Sequence, residues 1–334
     1  MTEKILIVGP AWVGDMVMAH SLYQVLAAER DDPVIDVLAP AWTLPLLERY
    51  PEVRRGIDLP FGHGTLDLEN RWRLGRSLRS ERYDQAIVLP RSLKSAIIPF
   101  VARAKRRTGY LGEMRFGLLN DIRHLDKKKL PRTVDRFVNL ASAKSSPELP
   151  AVPYPTLKPD AGRLGKLINA LELEPGKNVL GLCPGAEYGP AKQWPVSHFA
   201  DVARQWHQAG NPVWIFGSEK DRQIGEQIQQ LSNGACQNLC GKTELLDVVD
   251  LLSECSAVVT NDSGLMHVAA ASGARVISIF GSSDPGHTPP LIEGAKILTA
   301  DVPCRPCMKR TCRYGHYHCL EYVTADRVLD SLYR

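Results

Sequence analysis

The chain has 334 residues, 44% of them hydrophobic and 23% charged, with a formal net charge of +4. That length allows two domains of ordinary size with the balance of a soluble globular protein, and no apolar run approaches the roughly 20 residues that span a bilayer. Met1-Thr2-Glu3-Lys4-Ile5 runs straight into a strand without a signal-peptide layout, so a cytoplasmic location is expected and the eight cysteines do not suggest a disulfide framework.

In the first half, the apolar runs Ile5–Val8, Val34–Leu38 and Ala86–Leu89 read as strands. Helical patterns lie near Asp15–Ala28, Leu68–Arg79, Ser92–Ala102 and Arg132–Lys144. Continuous apolar strands separated by helices predict a parallel sheet covered on both faces. The first strand opens into "GPAWVGDMVMAH", Gly9 to His20. Its two glycines have the spacing of a phosphate-binding P-loop, but Asp15 stands where that loop carries its lysine. The turn therefore exposes a carboxylate.

Between Arg91 and Arg136 there are thirteen Lys or Arg against four acids, Glu113, Asp121, Asp126 and Asp135. This is either a solvated basic face or a docking surface for an anionic partner. Ser145 to Pro159, "SSPELPAVPYPTLKP", carries five prolines and reads as an interdomain linker. A second alternating series follows, with strands Val179–Cys183, Val213–Phe216, Ala257–Thr260, Val276–Phe280 and Lys296–Thr299. Its helices lie near Val196–Gln208, Arg222–Leu231, Leu245–Ser253 and Gly264–Ser272. The predicted organisation is a first domain over 1–150, a linker and domain start over 151–177, and a second domain over 178–320. A C-terminal helix within 321–334 is expected to pack back on the first domain. Two doubly wound domains of this kind place a ligand cleft at the carboxyl ends of their sheets.

Four loops of the second series carry candidate chemistry. In "VVTNDSGLMHVAAA", Asn261-Asp262-Ser263 can cap a helix whose first turn holds Gly264, leaving amides for an anion. His267 in that helix is equally a structural histidine. In "CPGAEYGPAKQWP", Lys192 is the only cation and can meet a phosphate as a point charge. In "FGSEKDR", Glu219 and Asp221 follow a strand where α/β folds hold ribose hydroxyls. Cys240-Gly241-Lys242-Thr243 precedes another helix and can hold a base or phosphate through its backbone. Taken singly, each is also an ordinary loop.

Together, "NDSGLMHVAAA", "PGAEYGPAKQWP", "FGSEKD", "CGKT" and "GPAWVGDMV" resemble the ADP-heptose:lipopolysaccharide heptosyltransferase family over nearly the whole chain. The likeness is greatest to the branch that adds the second heptose of the inner core. The resemblance implies a GT-B α/β architecture, with an N-terminal acceptor domain, a C-terminal donor domain and an inverting reaction. It places Asp15, after Gly14, on the catalytic carboxylate and Lys192 on the lysine that meets the donor diphosphate. Asp221 falls on the ribose-holding acid, with Glu219 close enough to compete, and Thr243 lies in the nucleotide loop. Asp262, Ser263, Gly264 and His267 form the donor-sugar and diphosphate loop. The implied partners are ADP-L-glycero-D-manno-heptose and a heptosyl-Kdo-lipid A acceptor at the inner membrane surface, with peripheral membrane contact and no nucleic acid. Where heptosyltransferase I-like members of that family carry hydroxyl residues before the lysine, this chain has Glu187 and Tyr188, so hydroxyl contacts to phosphate are not assigned there.

Sugar transfer needs a base for the incoming hydroxyl and stabilisation of the departing diphosphate. Asp15 suits the first task; Lys192 and the helix N-terminus at Gly264 suit the second. The chain has no Asp-x-Asp, so neither a catalytic metal nor a cofactor is expected. The basic segment would then meet a phosphorylated acceptor, with Arg103, Lys105, Arg106 and Arg107 as contacts. "CRPCMKRTCRYGHYHC", Cys304 to Cys319, reads as a zinc site, as packed reduced thiols or as a disulfide, outside the transfer chemistry in each case. Alternatives to the transferase are a nucleotide-sugar epimerase or other GT-B sugar transferase, a two-domain small-molecule binder, and a basic nucleic-acid binder, the last lacking any basic-aromatic motif.

Overall fold

In the computed structural model, residues 2–61, 65–143, 150–174 and 176–333 are described. Apolar runs buried on both faces form the central strands of two six-stranded sheets in which every paired strand is parallel. The first sheet holds β1 (Lys4–Val8), β2 (Val34–Ala39), β3 (Val53–Asp58), β4 (Gln85–Val88), β5 (Arg106–Tyr110) and β6 (Asp121–Arg123), in the order β3-β2-β1-β4-β5-β6. The second holds β7 (Val179–Cys183), β8 (Val213–Ile215), β9 (Gln237–Asn238), β10 (Cys255–Asn261), β11 (Arg275–Ile279) and β12 (Lys296–Leu298), in the order β12-β11-β10-β7-β8-β9. Each sheet begins in its middle and reverses direction once, between β1 and β4 and between β7 and β10. Ligands of doubly wound sheets sit at such reversals, beyond the carboxyl ends of the strands. These are the two Rossmann-like sheets expected of a GT-B protein.

The chain divides into two compact units, Met1–Pro155 and Thr156–Arg334. Residues 145–149 of the expected linker, like Lys144 before them, lie outside the described residues. The rest of the proline-rich stretch is tethered at both ends. Ser21 Oγ donates to the Pro153 carbonyl at 2.6 Å, and Leu157 N donates to the Ala271 carbonyl at 2.7 Å.

Sequence and structure part at particular elements. Strands β3, β5 and β6 read VRRGID, RRTGY and DIR, so their charges hide them from a search for apolar runs. The helix Ala161–Ala170 escaped because it buries none of its residues; Asp160 caps it by accepting from Gly162 N and Arg163 N at 3.0 and 3.1 Å. The pattern at 92–102 splits into a tight turn, Leu93–Ala96, and a short helix, Ile97–Val101, with Pro99 in its first turn. The C-terminal helix, Ala325–Tyr333, corrects an expectation: it packs within the second unit. Val328, Leu329 and Leu332 join the core of β7, β8, β10 and β11, Arg275 Nη1 donates to the Leu332 carbonyl at 3.0 Å, and Tyr333 lies against Trp206. Its apolar face is thus used inside its own unit. Among the described residues, no helix is long and apolar enough to cross a membrane.

Much of the basic segment is structural. Arg115 is fully buried and donates to the carbonyls of Pro90 at 2.7 Å and Ser92 at 3.3 Å, and also to that of Tyr110. Burial, together with Arg91, pulls its guanidinium down to about 10. Arg107 donates to the carbonyls of Ala104 and Leu118, Arg106 to Gln85, and Lys105 pairs with Asp84 at 2.8 Å. Three of the four expected acceptor contacts therefore brace β4–β6 and the turns around them. Removing Arg115 leaves several carbonyls without their donor, each costing about 1–3 kcal/mol. The Arg115→Met variant should lose roughly 3 kcal/mol of stability in urea unfolding; an unchanged midpoint would show that these contacts contribute nothing net.

Candidate active site

In the second unit, one carboxamide organises the loop that leaves β7. Asn261, the last residue of β10, accepts from Trp194 N at 3.0 Å and donates to the Pro184 carbonyl at 2.6 Å. Both ends of loop 184–194 are thereby stapled across the sheet reversal, and Trp194 is buried with its indole N–H on the Val323 carbonyl at 2.7 Å. Gly189 sits at φ +141, where a side chain would also strike the Arg310 carbonyl. The tight turn Pro190–Lys192 follows and carries Lys192. Its ammonium reaches Asp262 Oδ2 at 2.5 Å, lies 4.9 Å from the Tyr188 ring centroid, and is 16% exposed against 4% for Asp262. Ser283 Oγ donates to the same carboxylate oxygen at 2.5 Å.

Asn261 and Asp262 do not cap the helix that follows, which corrects the sequence reading. The helix is Gly264–Ala271 with Ser263 at its N-cap, and the Ser263 side chain makes no capping hydrogen bond. Asn261 is spent on the loop and Asp262 on Lys192, so the helix N-terminus keeps its amides for an anion. His267 is buried one turn in, and burial pushes its imidazole down to about 4; Lys192 pushes the same way and Asp262 opposes. It is therefore neutral at physiological pH.

The two acids after β8 have different lives. Asp221 Oδ2 accepts from Ser218 N at 2.8 Å and Ser218 Oγ at 2.7 Å, closing a capping box. Its other oxygen is pressed against Gly185, where an added Cβ would lie only 2.6 Å away. Glu219 is exposed, pairs with Arg222 at 2.8 Å, and lies over Gly241, whose φ is +73. Beside it, Thr243 Oγ1 is buried with no hydrogen-bond partner among the described residues. A buried hydroxyl without a partner costs free energy that a ligand's polar atom would recover.

In the first unit, Asp15 lies half-buried in the first turn of the helix Val13–Glu29, after the buried Gly14. Neither Gly9 nor Gly14 adopts the left-handed backbone expected of a tight turn. Gly9 is required by close approach instead, since a Cβ there would meet Met16 Cε at 2.8 Å and the Leu38 carbonyl at 3.0 Å. Two aromatic residues missed by the sequence reading flank this turn. Trp12 and Trp42 are both 51% exposed, and Trp42 Nε1 donates to the Ala11 carbonyl at 2.7 Å.

The four tail cysteines, Cys304, Cys307, Cys312 and Cys319, are free thiols that line one small cavity. Among the described residues, no group of three or more His, Cys, Asp or Glu is placed to hold a metal ion. The segment around them is stitched to the Lys192 loop: Ala191 N donates to the Arg310 carbonyl at 3.0 Å and Tyr188 Oη to the Met308 carbonyl at 2.8 Å. The tail thus neighbours the loop that carries Lys192.

The molecule is therefore two doubly wound units, with a lysine, a carboxylate and an open helix N-terminus at the reversal of the second sheet. Residues 71–318 match the model of glycosyltransferase family 9 (heptosyltransferase). Over 338 residues the chain is 44% identical to lipopolysaccharide heptosyltransferase 2 of Escherichia coli K12, covering 98% of this chain and 97% of that one. It is 46% identical to lipooligosaccharide heptosyltransferase 2 of Haemophilus influenzae, covering 98% of each chain. The solved structure of E. coli ADP-heptose LPS heptosyltransferase II superposes with a TM-score of 0.88 at 42% identity, over 99% of this chain and 97% of that one. The chain belongs to glycosyltransferase family 9 and is a glycosyltransferase.

His267 gives a pH prediction. Its folded value of about 4 lies below the roughly 6.5 of an unfolded histidine, so the unfolded chain binds the extra proton first. The stability tied to neutral His267 is whole above pH ~6.5 and drains as pH falls toward ~4, with a ceiling of about 3 kcal/mol. Melting temperatures across that window should fall less for His267→Gln than for wild type. Parallel slopes would remove His267 as the cause.

Proposed function

We propose that the enzyme transfers L-glycero-D-manno-heptose, with inversion, from ADP-heptose to the first heptose of a Kdo-lipid A inner core. The pairing of Lys192 with Asp262 beneath an uncapped helix N-terminus carries the chemistry, since it presents a cation and backbone amides where a diphosphate departs. Transfer of a heptose to a lipopolysaccharide-type acceptor is supported by full-length likeness to proteins named lipopolysaccharide or lipooligosaccharide heptosyltransferase 2.

Asp15 takes the proton of the acceptor hydroxyl as its oxygen attacks the anomeric carbon. The bond to the diphosphate breaks, and Lys192 with the amides at Ser263 and Gly264 stabilises the leaving ADP. Glu219 holds the ribose in place of Asp221, because its carboxylate is exposed while Asp221 is spent on Ser218 and packed on Gly185. Thr243 Oγ1 supplies a further polar contact to the nucleotide. Trp12 and Trp42 offer ring faces to acceptor sugars. Peripheral contact with the inner membrane surface is supported by Met114 and Phe116, 83% and 65% exposed on one loop of the first unit, and by the exposed run Lys127–Lys129. On this reading the enzyme works at the cytoplasmic face of that membrane.

Incubation with ADP-heptose and Kdo-lipid A bearing one heptose tests this reading. Wild type should transfer one heptose, and Asp15→Ala should lower kcat by ~10²–10⁴. Transfer retained by the variant would remove Asp15 as the base, and no transfer by wild type would overturn the substrates.

A further inference from the structure

The cations at the diphosphate site do not balance the charge they would meet. Lys192 is offset by Asp262 at 2.5 Å, and His267 is neutral. Lys220 pairs with Glu187 and Arg222 with Glu219, both at 2.8 Å. Arg305 is spent on the carbonyls of Gly281 and Ser283 at 2.8 and 3.1 Å. A sugar diphosphate is anionic when bound and gains further negative charge as it leaves, so one lysine already shared with a carboxylate is a weak counter-charge.

The segment bonded to the Lys192 loop carries an uncommitted guanidinium. Arg310 is exposed, and its guanidinium is in no ion pair among the described residues. It lies over the Tyr188 ring at 5.2 Å from the centroid, the same ring that Lys192 approaches at 4.9 Å. One aromatic face system thus seats both cations, favourable to each by its quadrupole. The backbone beneath Arg310 is fixed from two sides. Its carbonyl accepts from Ala191 N, Tyr188 Oη bonds the Met308 carbonyl, and Ser282 Oγ donates to the Lys309 carbonyl at 2.9 Å. Met308 N returns to the Ser282 carbonyl at 2.8 Å, and Ser282 N donates to the Ala191 carbonyl at 3.1 Å. The tail is therefore bonded to the loop that carries Lys192 and to the 281–283 loop that carries Ser283, the Asp262 partner.

We propose that Arg310, held by the cysteine-rich tail and stacked on Tyr188, is a second cation of the donor-diphosphate site. This rests on the donor reading above and extends it to a residue outside the second sheet's own loops. Tyr188 acts as the positioning residue, seating Lys192 and Arg310 together.

Calorimetric titration of the full-length protein with ADP, with steady-state kinetics in donor, tests it. Arg310→Gln should weaken ADP about tenfold or more and raise donor KM in step, while Arg310→Lys, which keeps the charge but not the planar stack, should recover only part of that loss. Tyr188→Leu should weaken ADP as well, and Tyr188→Phe, which keeps the ring, should not. Wild-type ADP affinity and KM in Arg310→Gln would overturn the proposal. Lys192→Ala in the same series separates the two ideas. If it loses ADP while Arg310→Gln does not, only the role of the tail falls. If neither variant changes affinity, the donor reading falls with it.

Discussion

The second unit depends on a nearly dry ion pair at the point where its sheet reverses. Lys192 and Asp262 come from opposite sides of the β7–β10 boundary, and each is held by bonds that have nothing to do with the other. Asn261 staples the loop that brings the lysine, and Ser283 fixes the carboxylate. Two charges removed from water this far stabilise the fold little in net terms, because desolvation offsets their attraction. On the proposed donor reading, a lysine parked on a carboxylate is preorganised, and an arriving diphosphate would share it without first ordering a flexible side chain.

The same economy of bonds runs through the neighbouring loops. Side chains that a sequence offers as ligands divide, in the folded chain, into those already bonded and those left open. Asp221 closes a capping box, whereas Glu219 stays exposed and the Thr243 hydroxyl has no partner among the described residues. Arg106, Arg107 and Arg115 hold carbonyls and an amide in the first unit, whereas Lys127–Lys129 remain exposed. Net charge along a segment therefore says little about docking until the internal bonds are subtracted.

Strong apolar strands such as Ile5–Val8 and Val179–Cys183 were legible because burial on both faces leaves an unbroken hydrophobic run. Strands β3, β5 and β6 were not, since their arginines and aspartates find partners only after folding. The loops bearing Lys192, Asp262 and Thr243 could be located from strand–loop–helix alternation, but their bonding could not. Asn261 read as a helix cap and proved to be a staple across 67 residues of chain. The docking of the C-terminal helix and the stitching of the cysteine tail to the Lys192 loop are long-range contacts that no local pattern encodes.

The most direct measurement of the central claim, that Lys192 serves the terminal phosphate of the departing nucleotide, is the ratio of ADP to AMP affinity in wild type and in Lys192→Met. Wild type should prefer ADP by about tenfold or more, and the variant should lose most of that preference while holding AMP unchanged. Equal discrimination by the two proteins would contradict the assignment.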